Sequence, residues 1–151
     1  ADHNLGKLTK WLRIIGYDTL YDRGDADRTF LQRAGAEGRI ALTRKRALAR
    51  LSPPGRLVVV HADRVDGQIG EVLEALNLEP DPAKRMTRCS RCNTPLEGAS
   101  REMVAGLVPV YVSETCAQFR ICRLCGGIYW PGTHPRRVEE YLNAHLPPRR
   151  P

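Results

Sequence analysis

Apolar positions in the first half of the chain alternate between helical and extended registers. Leu5, Leu8, Leu12 and Ile15 recur at three- and four-residue steps, with Lys7, Lys10 and Arg13 off that face, the pattern of an amphipathic helix. Gly16 follows as a helix stop. Residues 17–20 read as a short strand. Asp27 stands where a helix cap would, before a helix through Phe30, Leu31 and Ala34 that Gly38 ends. Residues 39–43 form the next predicted strand and 44–51 a short helix. The run Ser52-Pro53-Pro54-Gly55 is a turn. Residues 56–61 read as a buried strand, and a helix over 67–76 places Ile69, Val72, Leu73 and Leu76 on one side.

Strands that alternate with helices imply crossovers and a parallel sheet covered on both faces, hence an α/β fold. Such a sheet gathers functional groups beyond the carboxyl ends of its strands. The candidates there are Asp2, Asp22, Asp25, Asp27, residues 43–45 and residues 61–63. The chain opens at Ala1-Asp2 with no strand ahead of the first helix. Either an opening strand is lacking from this sequence or the fold has none.

The second half changes character. Residues 77–88, with Pro80 and Pro82, read as a linker, and helical periodicity is sparse until 138–145. The expected division is an α/β domain over 1–85 and a cysteine module over 86–151. Cys89-x-x-Cys92 and Cys122-x-x-Cys125 are separated by 29 residues, with Gly126-Gly127 directly after the second pair. Two such turns on facing hairpins complete a tetrahedral four-cysteine site, the pattern of a zinc ribbon. Four thiolates leave no position for water, so this Zn²⁺ is expected to be structural. Cys116, the fifth cysteine, reads as a small buried hydrophobe.

Charge and composition narrow the partners. Net charge is +7, both halves are basic, and arginine supplies most of the cations. That suits phosphate contact, although an arginine-, alanine- and proline-rich composition also follows from a GC-rich genome. No apolar run is long enough to span a bilayer, and no signal-peptide block opens the chain. The expectation is a soluble cytoplasmic protein without a membrane partner.

Asp2-His3-Asn4-Leu5-Gly6-Lys7-Leu8, Trp11-Leu12-Arg13 and Gly16-Tyr17-Asp18-Thr19 resemble the opening of the Mut-seven C-terminal RNase domain family. Arg39-Ile40-Ala41-Leu42-Thr43-Arg44 resembles its second signature. The two cysteine pairs with Tyr129-Trp130-x-Gly132-x-His134 resemble its C-terminal ribbon. The resemblance implies a PIN-like parallel-sheet nuclease domain followed by the small four-cysteine zinc ribbon, cutting RNA with a small acidic cluster and Mg²⁺ or Mn²⁺. On that pattern Asp2 matches the first acidic position and Asp27 the one that opens the next helix. The third acid normally follows the Thr-Arg pair, and here Lys45 stands there. An ammonium beside a hard dication repels it. Asp63 is the candidate compensating acid; Asp66 could also contribute but suits a helix cap, and Asp22 and Asp25 suit loop roles.

Lys7, Lys10, Arg13, Arg44, Lys45 and Arg46 are candidate phosphate contacts, with solvated helix faces as the plain alternative. Trp130 is a candidate for base stacking and His134 for a phosphate contact or general acid, while ribbon aromatics more often pack a small core. The leading expectation is a metal-dependent ribonuclease impaired by Lys45. The alternatives are a non-catalytic RNA-binding module of the same descent, and a ribbon adaptor that recruits a protein partner or a second copy.

Overall fold

The computed structural model describes residues 1–130 together with 140, 141 and 144. A short 3-10 turn, His3–Leu5, leads into helix α1, Gly6–Ile15. Leu5, Leu8, Leu12 and Ile15 are all buried, as their spacing requires. Gly16 ends α1 at φ 109, a conformation open to glycine but costly for other residues. Helix α2, Arg28–Ala36, starts on Asp27, whose carboxylate accepts from the Phe30 N–H. It stops at Gly38, at φ 63, where the Gly38 and Arg39 N–H groups return to the carbonyls of Gly35 and Ala34.

Strand β1, Ala41–Thr43, pairs in parallel with β2, Leu57–Val59, in the register Ala41–Leu57, Leu42–Val58 and Thr43–Val59. Alternation along a strand sends neighbouring side chains to opposite faces. Leu42 and Val58 accordingly join Leu8, Leu12, Val72 and Leu73 beneath α1 and helix α3, Val65–Leu76. Ala41 and Leu57 pack on the other face with Phe30, Leu31 and Leu48. Both faces of the sheet are thus covered, which is why consecutive strand positions are apolar.

Three expectations change. Residues 17–20 carry no strand. Their backbone bonds go to Leu12, Arg13, Asn93 and Ala1 in place of a strand ladder; the Ala1 amine donates to the Leu20 carbonyl at 2.8 Å, and its carbonyl accepts from the Asp22 N–H at 2.9 Å. The segment after β1 is a 3-10 helix, Arg46–Leu51, since only Leu48 and Leu51, three residues apart, reach the core and 3-10 geometry stacks positions i and i+3. The supposed linker is docked: Met86 N–H donates to the Ile14 carbonyl, and Lys84 lies against Gly16.

The cysteine half is built on an antiparallel sheet of β3, Glu97–Ala99, β4, Phe119–Ile121, and β5, Ile128–Tyr129. Between β3 and β4 lie two helices the periodicity did not announce, α4, Arg101–Val104, and α5, Val110–Thr115. Ser100 caps α4, and Val104, Val108 and Val112 form a small core with Phe119. Cys116 packs against that core. Of the predicted terminal helix, 140, 141 and 144 are helical, with the Tyr141 ring stacked on Trp11 at 4.4 Å; the rest lies outside the described residues. Among the described residues no helix is long and apolar enough to cross a membrane.

Candidate functional site

The carboxyl end of β1 is organised around Asp2. Its backbone N–H donates to the Leu42 carbonyl, which sets residues 1–2 alongside β1. Its side chain is fully buried. Oδ1 accepts from the Asn4 N–H at 2.9 Å; Oδ2 accepts from Thr43 Oγ1 at 2.6 Å and from the Arg44 N–H at 3.2 Å. Three donors on one carboxylate are the condition for burying it ionised. Thr43 serves twice, since its hydroxyl also accepts from the Lys45 N–H.

Lys45 reaches across to the α2 side, where Nζ donates to the Ala26 carbonyl at 3.0 Å, one residue before Asp27. Asp27 is exposed and one oxygen is taken by the helix cap. Arg44 donates to Asp63 at 2.7 Å and to the His61 carbonyl. Asp63 is 93% exposed. Asp22 is paired with Arg33 and accepts from Gly24 N–H, and Asp25 is exposed. His3 Nδ1 lies 3.1 Å from the Gly24 carbonyl. Asp66 sits in the first turn of α3, paired with Arg64.

Asp2, Asp27 and Asp63 each already have a protein partner. A hard dication needs several carboxylates converging on one point. Asp2 commits both oxygens to protein donors, Asp27 caps a helix, Asp63 faces solvent on an arginine, and a lysine stands beside them. Among the described residues, the one group with enough ligands in mutual reach is Cys89, Cys92, Cys122 and Cys125.

That group is compact: the four sulfurs lie within 4.8 Å of one another and can hold a metal ion such as zinc. Cys89 and Cys122 are buried. Burial alone raises the Cys89 thiol, but the hydrogen bond from Tyr129 Oη at 3.1 Å and nearby backbone N–H groups bring it down to about 6. Cys92 is pushed up to about 12 by burial and by its sulfur neighbours. One thiolate forms readily and the next resists, which is the behaviour of thiols sharing a single charge centre. The Tyr129 hydroxyl is itself raised to about 12 by burial and by its Cys89 partner.

Arg13 changes role. It is buried, and its guanidinium donates to the Thr19 carbonyl and to the carbonyls of Ser90 and Arg91 inside the first cysteine turn. Burial pulls its pKa below the usual arginine range, against the pull of Cys89 and Cys92. It is a cross-link between α1 and the cysteine turn, and is not available to a phosphate. Asn93 completes this junction, accepting from the Thr19 N–H and donating to Asp18 at 2.6 Å. Sequence reasoning missed Asn93, although an asparagine straight after the second cysteine of a turn signals its left-handed φ of 70. Glu71 was missed too: its carboxylate accepts from the His61 and Ala62 N–H groups and so fixes the loop after β2.

Of the remaining basic candidates, Lys7, Lys10, Lys45 and Arg46 are exposed and Arg44 is half-buried. Trp130 is half-buried and packs one side against the Val104–Phe119 core. His134 lies outside the described residues.

A family model described as the Mut7-C RNAse domain matches residues 1–142. No curated protein and no solved structure matches the chain.

Proposed function

Because the chain belongs to the Mut7-C RNAse domain family, we propose that it acts on RNA, through the basic surface at the carboxyl ends of β1 and β2. In this reading the α/β unit through about residue 85 is PIN-like, and the cysteine module from residue 86 is a zinc ribbon whose ion is structural. Lys45, Arg44 and Arg46 hold the phosphodiester, and Lys7 and Lys10 extend the path along α1.

The observation that carries this reading is the Lys45 ammonium, held on the Ala26 carbonyl beside Asp27. A fixed point charge there favours a phosphate oxygen and disfavours a dication. Arg44 is exchangeable, because its partner Asp63 is almost wholly exposed and such pairs contribute little. Asp2 then has a positioning role: through Thr43 and the Arg44 N–H it sets the turn that presents Arg44 and Lys45.

A second reading is metal-dependent RNA hydrolysis by Asp2 and Asp27 with Mg²⁺ or Mn²⁺, and Asp63 as a third acid. The family's description as an RNase domain favours it. Labelled single-stranded RNA with Mn²⁺ separates the two. The first reading expects binding without cleavage by the unaltered chain and a gain of cleavage in Lys45→Asp. Cleavage by the unaltered chain that disappears in Asp2→Asn would install the second reading.

A further inference from the structure

The ladder between β1 and β2 ends at Val60, whose N–H still donates to the Thr43 carbonyl. The next two N–H groups find their acceptor on α3. Glu71 Oε2 accepts from the His61 N–H at 2.7 Å, and Oε1 accepts from the Ala62 N–H at 3.0 Å. One turn earlier, Gln68 Nε2 donates to the Ala62 carbonyl at 3.0 Å. Positions three apart share a helix face, so one face of α3 holds the loop after β2 at three points. The helix is itself fixed, because Ile69, Val72 and Leu73 are buried in the core beneath the sheet.

The peptide unit between His61 and Ala62 joins Glu71 to Arg44. A trans peptide is planar, and its N–H and C=O point in opposite directions. Glu71 holds the N–H of this unit toward α3, so the carbonyl turns away from α3. That His61 carbonyl accepts from the Arg44 guanidinium at 3.4 Å. The carboxylate on the N–H also polarises the peptide and strengthens its carbonyl as an acceptor. Arg44's other partner in this loop, Asp63, is 93% exposed and gives way readily to a phosphate. The carbonyl does not, while Glu71 holds the unit. A guanidinium has five N–H donors, enough to keep the His61 carbonyl and still present a free edge.

We propose that Glu71 is a positioning residue for phosphate binding: through the 61–62 peptide it aims the Arg44 guanidinium. The proposal rests on the reading of this surface as an RNA site, and adds to it a residue that touches no RNA. Its consequence runs against simple charge. Removing a carboxylate from a basic surface strengthens the attraction of a polyanion. Here the removal should weaken binding, because the side-chain amide in Glu71→Gln has one acceptor oxygen for two N–H groups.

The test is single-stranded RNA affinity across a salt series, on the full 151-residue chain. The variants are Glu71→Gln, Glu71→Asp, Arg44→Ala and the Glu71→Gln, Arg44→Ala double substitution. Glu71→Gln is expected to bind on the order of threefold more weakly than the unaltered chain, with a salt slope moved toward that of Arg44→Ala. Glu71→Asp keeps the charge but brings its carboxylate one methylene short, and should fall between the two. In the Arg44→Ala background, Glu71→Gln should weaken binding no further. Equal or tighter binding by Glu71→Gln, or an equal loss in both backgrounds, would overturn the proposal and leave the RNA site standing. Salt-insensitive binding by the unaltered chain, or none, would remove the reading beneath it and the proposal with it.

Discussion

A buried carboxylate is stable only when its charge is matched, and Asp2 is matched by three donors from two neighbouring segments. Removing one leaves the charge under-compensated in a site with no access to water. Thr43→Val keeps the shape and strand propensity but deletes the 2.6 Å bond. It is expected to lower unfolding stability by about 1–3 kcal/mol in urea denaturation; an unchanged midpoint would mean that the Arg44 and Asn4 amides suffice. At this scale the sequence marks residues whose chemistry is local. Asp27 as a cap and Lys45 as a misplaced cation are both legible from their immediate neighbours. Arg13 is not: its carbonyl partners in the cysteine turn lie more than seventy positions away, and nothing in its helical face distinguishes it from Lys10.

Elements with strong periodicity are where pattern reading serves well. α1, α2 and α3 emerge from apolar spacing and glycine stops, because burying one helical face is what fixes them. Surroundings, in turn, distinguish two glycines that both adopt positive φ. A Cβ at Gly16 would sit 2.5 Å from the Lys84 carbonyl, whereas at Gly38 it meets nothing within 4 Å. Gly38→Ala should therefore cost only the left-handed backbone penalty, about 1–2 kcal/mol. Gly16→Ala should cost clearly more, since the 82–86 segment must also shift off α1. Paired thermal melts check the order, and equal losses would show that the Lys84 contact is easily relaxed. Short elements escape this kind of reading. α4 and α5 span four and six residues, too few for a period to show, and Gly106 and Pro109 interrupt the Val104–Val108–Val112 spacing that joins them. Residues 17–20 have strand-like composition, but a strand is defined by its neighbours, and here the backbone bonds go to Leu12, to the Arg13 and Asn93 side chains and to Ala1.

Taken whole, the molecule is a two-faced parallel sheet clamped to a cysteine module by Arg13, Asn93 and Met86. The alternation of strands and helices makes the first part legible, and the doubled cysteine spacing the second; their joint is not, because it is made by backbone carbonyls. The clamp links the four-cysteine group to the rest of the fold. Binding a dication must expel the proton that Cys92 holds up to about 12, so affinity rises with pH and the ion is shed on acidification. A zinc indicator should register release as pH falls from about 7 to about 5, and stripping with a chelator at neutral pH should expose the 86–91 segment to protease. Retention of protease resistance after complete metal loss would show that Arg13 and Asn93 hold the module without it.

Whether this surface binds RNA phosphate is read from the salt dependence of single-stranded RNA affinity, measured for the unaltered chain and for Lys45→Ala. A phosphate site at Lys45 predicts binding that weakens steeply with salt, and a slope smaller by about 0.7, one phosphate contact, in the variant. Superimposable slopes, or affinity indifferent to salt, would contradict it.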